Sequence, residues 1–72
     1  MQAFFVEIGA DRPLSKKEAF QLILEKARME AENRKIKNYF IGNHYPSGGP
    51  FRRRFYWKAR VVEVRIKIEE VI

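Results

Sequence analysis

The chain of 72 residues contains no cysteine and one histidine, and it carries a formal net charge of +6. This composition excludes disulfides and argues against a zinc site, and no apolar run approaches the ~20 residues that a membrane-spanning helix needs. A chain this short buries only about 60% of the surface that its unfolded form exposes. We therefore expect one soluble, cytoplasmic domain over residues 1–72 that gains further buried area by forming a homo-oligomer.

The first half of the chain predicts a short strand and then a helix. Residues 3–8 alternate in side-chain character and predict a strand that Gly9 ends. Ser15 and Glu18 have the spacing of a capping box, in which each side chain bonds the other residue's amide, so we expect a helix over residues 16–34. Helical spacing directs five apolar side chains towards a sheet: Phe20, Ile23, Leu24, Ala27 and Ala31.

Two further apolar residues of this helix, Leu22 and Met29, are one heptad apart and fall on nearly the opposite side. Isolated apolar side chains are common on protein surfaces. The alternative is that Leu22 and Met29 form a contact between subunits of an oligomer.

The second half predicts two strands and a connecting loop. Residues 35–43 read as a strand, and residues 44–50 (HYPSGGP) read as a loop because of their Pro, Ser and Gly content. Residues 51–72 contain no Gly, Pro, Asn or Asp and predict one long strand. Its apolar positions change from odd to even numbers partway, so we predict a β-bulge at residues 60–62, which would keep one apolar face.

These elements predict an α+β domain of β-α-β-β order. One helix packs on a three-stranded antiparallel sheet of order 2-3-1, whose central member is the long, bulged C-terminal strand. The element order and length resemble those of dodecins, small flavin-binding oligomers in which a sheet wraps a helix. That resemblance covers the architecture alone and carries no binding residue or cofactor to this chain. One face of such a sheet is covered by the helix, and the other is left bare.

The bare face carries the functional signal of the sequence. Between Glu32 and Glu63 there are thirty residues without an acidic side chain, of which eight are cationic, and seven aromatic residues lie in the same stretch. Cations attract a phosphate backbone without reading its sequence, and flat rings offer surfaces on which unpaired bases stack. Strand alternation places Arg52, Arg54, Tyr56, Lys58 and Arg60 in one outward row, with Phe40 of the neighbouring strand as a further ring.

We therefore predict a small nucleic-acid-binding protein that recognises RNA or single-stranded DNA with low sequence specificity. The predicted binding residues are Lys35, Lys37, Tyr45, Arg52, Arg53, Arg54, Tyr56, Lys58 and Arg60. The alternative is a homo-oligomeric scaffold, in which the cations solvate an exposed strand or line a cavity for an anionic small molecule. Burial of Phe5 and Tyr56 between subunits would favour that alternative.

Enzymatic chemistry has little support in the sequence. His44 has no cysteine, second histidine or carboxylate close to it in the chain, and the Ser-Gly-Gly segment at residues 47–49 lacks the lysine and following helix of a phosphate-binding loop. We expect Trp57 to pack in the core. No catalytic residue, metal site or cofactor is predicted.

Overall fold

The computed structural model describes residues 1–51 and 54–64, which form one helix and four strands. In chain order these are β1 (Ala3–Ala10), α1 (Lys16–Asn33), β2 (Tyr39–Ile41), β3 (Tyr45–Phe51) and β4 (Arg54–Glu63). The predicted α+β class is confirmed. The helix packs on one face of the sheet, and no other described element covers the opposite face.

The sheet is built around β4, as the sequence predicted. β1 pairs with one edge of β4, while β2 and β3 pair with successive parts of its other edge, and every pairing is antiparallel. The strand order differs in detail from the predicted 2-3-1 because the sheet has a fourth member, β3.

The prediction of a loop at residues 44–50 was wrong. Tyr45 pairs with Lys58 and Pro46 with Trp57, and the register then shifts twice, between Pro46 and Gly48 and between Gly48 and Phe51. Each shift inserts one unpaired residue into β3, which is how an edge strand accommodates proline and glycine. Turn-forming residues therefore mark an irregular strand here rather than a loop.

The predicted bulge at residues 60–62 was also wrong. β4 pairs with β1 one to one from Ala3 opposite Val62 to Ala10 opposite Phe55, and β2 continues in step from Tyr39 opposite Glu63. Since the alternation is unbroken, Val62 faces away from the helix instead of into the core. Residues 66 and 68, which were expected on the apolar face, lie outside the described residues.

The start of the helix matches the prediction, but its end removes part of the second predicted strand. Ser15 Oγ accepts the Glu18 amide and Glu18 Oε1 accepts the Ser15 amide, both at 3.1 Å, which confirms the capping box. At the other end Lys35 has a φ of 58°, and the Ile36 amide donates to Ala31 O. This left-handed residue with its long return bond is a Schellman termination. The strand predicted over residues 35–43 therefore shortens to β2.

The core lies between α1 and the strands β1 and β4. The predicted helix face was rotated from the observed one: Phe20 is half-buried and the Leu24 side chain is 37% exposed, whereas Ala19 is buried. Small side chains let the helix lie close to the sheet. The buried set comprises Ala19, Ile23, Ala27 and Ala31 of α1, Phe4, Val6 and Ile8 of β1, Ala59 and Val61 of β4, and Ile36.

Replacing Ile23 by alanine tests this helix orientation. Ile23 is fully buried, so Ile23→Ala should lower the free energy of unfolding by about 2–5 kcal/mol, through lost burial and a residual cavity. The matched variant Leu24→Ala should change it by no more than about 0.5 kcal/mol, because Leu24 lies outside the core. Urea unfolding followed by circular dichroism measures both, and equal losses would contradict the orientation.

The helix start also predicts a dependence on pH. The Arg12 guanidinium, followed by the Ser15 amide and hydroxyl, lowers the pKa of Glu18 to about 2 from 4.5. Because the folded-state pKa is depressed, the stabilisation by this carboxylate is complete above pH 4.5 and is lost as the pH falls towards 2. Carboxyl-carbon NMR titration should give a lower midpoint for Glu18 in the wild-type protein than in the variant Arg12→Ala. Equal midpoints would show that Arg12 does not lower the pKa of Glu18.

Candidate nucleic-acid interface

The bare side of the sheet carries the outward row of β4. Arg54 and Arg60 are exposed, and Tyr56 and Lys58 are half-buried. Alternation places these four on the side away from α1, because Ala59 and Val61 between and beside them are buried under the helix. We call this side of the sheet the outer face.

Two phenylalanine rings flank Arg60 on the outer face. Phe5 of β1 is directly opposite Arg60, and Phe40 of β2 is opposite Val62, one outward position further along β4. Their side chains are 56% and 54% exposed. The Gly42 amide donates to Arg60 O at 2.8 Å, so the position beside Arg60 on the other edge has no side chain to cover the guanidinium. An exposed cation therefore lies between two exposed rings.

Lys58 has a carboxylate opposite it on β1, whereas Arg60 has a phenylalanine. Its neighbours across the sheet are Glu7 of β1 and Tyr45 of β3, and its Nζ lies 5.1 Å from the centroid of the Phe5 ring. The Ser47 hydroxyl donates to Glu7 Oε2 at 3.0 Å and holds that carboxylate on the outer face. Glu7 offsets part of the Lys58 charge, so Arg54 and Arg60 remain the stronger sites for an anion.

Tyr56 lies against the backbone of β1. A β-carbon added at Gly9 would lie 3.0 Å from Tyr56 Cε1 and 3.4 Å from Arg54 Nε. Glycine at this position therefore lets the phenol ring and the guanidinium approach the sheet closely. Tyr56 is half-buried in this position.

The structure brings only part of the predicted site together. Arg54, Tyr56, Lys58 and Arg60 share the outer face, and Tyr45 is paired beside Lys58. Lys35 and Lys37 are exposed but lie in the connection before β2, roughly 30 Å along β4 from Arg54. Arg52 and Arg53 lie outside the described residues.

Trp57 and His44 belong to the opposite side of the sheet. Trp57 is half-buried against the core, in line with the expected packing. The His44 ring lies between Phe20 and Trp57, with centroid distances of 5.2 and 5.4 Å, and its Nε2 lies 2.9 Å from Lys16 O. A carbonyl oxygen only accepts, so Nε2 carries the hydrogen. His44 thus ties the start of α1 to the sheet.

Phe5 is not among the predicted binding residues, although the sequence contained the signal for its outward position. The alternation of residues 3–8 already set Phe5 apart from Phe4, Val6 and Ile8. What the sequence could not give was its partner, because the register of β1 against β4 decides that Phe5 lies beside Arg60.

No protein-family model, curated protein or solved structure matches the chain, so the comparisons with known proteins assign it to no family. Among the described residues, no helix is long and apolar enough to span a membrane, and no three side chains of the types that bind metals come together. The functional argument therefore depends on the outer face itself.

Substitution at Gly9 tests how closely Tyr56 lies on the sheet. In Gly9→Ala the new methyl group would lie 3.0 Å from the Tyr56 ring and should displace it, which would shift the NMR signals of the Tyr56 ring protons. Gly42→Ala is the matched control, because its nearest contact of 3.5 Å is ordinary van der Waals distance. Unchanged Tyr56 signals in Gly9→Ala would contradict the close approach.

Proposed function

We propose that this protein binds single-stranded nucleic acid, RNA or single-stranded DNA, on the outer face of its sheet. The observation that carries the proposal is the position of Arg60 between the exposed rings of Phe5 and Phe40. Arg60 would contact a phosphate while bases stack on the two rings. The proposal involves no catalytic step.

The separation of the two rings favours an extended strand as the ligand. Phe5 and Phe40 lie on strands two spacings apart and are offset by two residues, which places their backbones roughly 12 Å apart. One base cannot cover both rings, so they would hold different bases of one strand. Bases in a duplex are already stacked on one another and do not present free faces to such rings.

The chemistry of the outer face supports low sequence specificity. Cations that contact phosphates fix the position of a strand without reading its bases, and stacking tolerates every base. The single described helix offers no alternative reader of duplex DNA. One side of α1 is buried on the sheet, and its exposed residues include both Glu25 and Arg28.

Removing the outer-face cations tests the phosphate contacts. The triple variant Arg54→Ser, Lys58→Ser and Arg60→Ser should lose affinity for labelled single-stranded RNA and DNA in fluorescence anisotropy. Three phosphate contacts on a single strand correspond to a slope of about −2 in log K against log salt, and the variant should lose that contribution.

The matched control removes the same charge elsewhere. The variant Lys16→Ser, Lys17→Ser and Arg28→Ser replaces three exposed cations of α1, none of which is on the outer row. It should keep most of the affinity and salt slope. Equal losses in the two triple variants would show that net charge, rather than the outer face, attracts the nucleic acid.

The rings make a separate contribution that the same assay can isolate. Phe5→Ala with Phe40→Ala removes stacking worth about 1–3 kcal/mol per base while leaving the salt slope unchanged. Affinity that is unaffected by loss of both rings would contradict the stacking role.

The same assay compares ligands. Wild-type binding to duplex DNA should be weaker than to either single strand.

Self-association is a second candidate function, as a homo-oligomeric scaffold. Leu22 and Met29, which the sequence singled out, are 40% and 59% exposed on α1. The two candidates are compatible, because an oligomer multiplies the phosphate contacts.

A cytoplasmic location fits a partner such as RNA, and the lack of cysteine fits a reducing compartment.

A further inference from the structure

Among the described residues β1 is an edge strand, and one of its outward backbone groups, Glu7 O, accepts a hydrogen bond from Lys26 Nζ. Within residues 1–51 and 54–64, β1 pairs only with β4. The Glu63 amide donates to Gln2 O, so the even-numbered residues of β1 direct their N–H and C=O groups at β4. The odd-numbered residues, Ala3, Phe5, Glu7 and Gly9, therefore direct theirs away from the sheet.

This edge is unusually regular. The ladder between β1 and β4 has no register shift over the eight residues of β1, and β1 contains no proline. The opposite edge of the sheet is divided between β2 and β3, and it carries Pro46 and two register shifts. Bulges and prolines blunt an edge against pairing, and β1 has neither.

An apolar groove runs beside the β1 edge. It has a volume of about 370 Å³ and lies between the strand and the helix. Leu22 and Met29, the two exposed apolar residues of α1 noted from the sequence, line it. The full lining is Ile8, Gly9, Leu22, Glu25, Lys26 and Met29.

The charges of the groove make it complementary to itself. Glu25 and Lys26 are adjacent and lie midway between Leu22 and Met29. A two-fold axis through this midpoint brings Leu22 of one copy towards Met29 of the other, and Glu25 towards Lys26. Opposite charges then face each other although the chain as a whole is strongly cationic. An acidic partner protein would leave Glu25 facing like charge.

We propose that two copies of this chain associate through antiparallel pairing of their β1 strands, with the apolar grooves closing over each other. Lys26 Nζ lies 2.6 Å from Glu7 O, so the axis at the groove midpoint passes close to Glu7. The strand register then sets Phe5 of one copy opposite Gly9 of the other and Glu7 opposite Glu7 of that copy. Lys58, which is paired with Glu7 across the sheet, and the Ser47 hydroxyl offset the repulsion between the two carboxylates. The two outer faces join into one continuous surface across the axis.

Lys26 and the helices are compatible with this pairing. A carbonyl oxygen has two lone pairs, so Glu7 O can keep its bond from Lys26 and still accept an amide of the second copy. α1 covers β4 as well as β1 and is therefore set back from the edge. Two helices placed in this way would lie roughly 10 Å apart, near the usual distance of packed helices.

Sedimentation velocity of the protein without nucleic acid tests the association separately from the proposed binding function. The wild-type protein should sediment as a dimer that dissociates on dilution. Leu22→Glu should weaken the dimer by about tenfold or more, since it buries a charge in the groove. Leu24→Glu is the matched control, with the same change on the same helix at 37% exposure but outside the groove, and should leave the dimer intact.

Hydrogen exchange of single amides tests the strand pairing itself. The amides of Phe5 and Gly9 point out of the β1 edge and should exchange slowly in the dimer and rapidly on dilution, while that of Val6, which faces β4, should be protected throughout. A monomer at all concentrations overturns the proposal. So does a dimer that survives Leu22→Glu, or one whose Phe5 and Gly9 amides exchange rapidly.

Discussion

The regular pairing of β4 with β1 determines which side chains of the sheet lie in the core and which lie on the outer face. Because the ladder is unbroken over eight residue pairs, odd-numbered residues of β4 lie under the helix and even-numbered residues lie on the outer face. A slip of one residue would bury Arg60 and expose Val61, at the cost of desolvating a charge. The core and the cationic surface are therefore two results of one register.

The helix side of the domain depends on small residues. Three of the four fully buried positions of α1 are alanines, so the helix contributes little volume of its own and approaches the sheet closely. Larger side chains at its margins, such as Phe20, remain only half-buried. The His44 ring lies between Phe20 and Trp57, so the single histidine of the chain packs between the helix and the sheet.

The sequence predicted the features that depend on local patterns. The α+β class, the capping box and the shared face of Arg54, Tyr56, Lys58 and Arg60 follow from alternation and spacing within short segments. The central position of β4 was predicted from its length and its long apolar face. The predictions that were wrong concern features that depend on pairing between distant parts of the chain. Turn-forming residues concealed β3, and the change of apolar parity near Val62 implied a bulge, because nothing in the sequence revealed that Phe40 and Ala3 would flank Val62 on the outer face. The position of Phe5 opposite Arg60 was missed for the same reason.

The backbone conformation of Lys35, at the end of the helix, affects the stability of the protein. Lys35 holds a left-handed conformation that costs an L-residue with a β-carbon roughly 1–2 kcal/mol, and glycine would adopt it without that cost. The protein thus keeps a side chain at a point where its backbone would be more relaxed without one. Stability can be added at this position without altering either the buried core or the outer face, so a more robust form of this domain is accessible through its backbone alone.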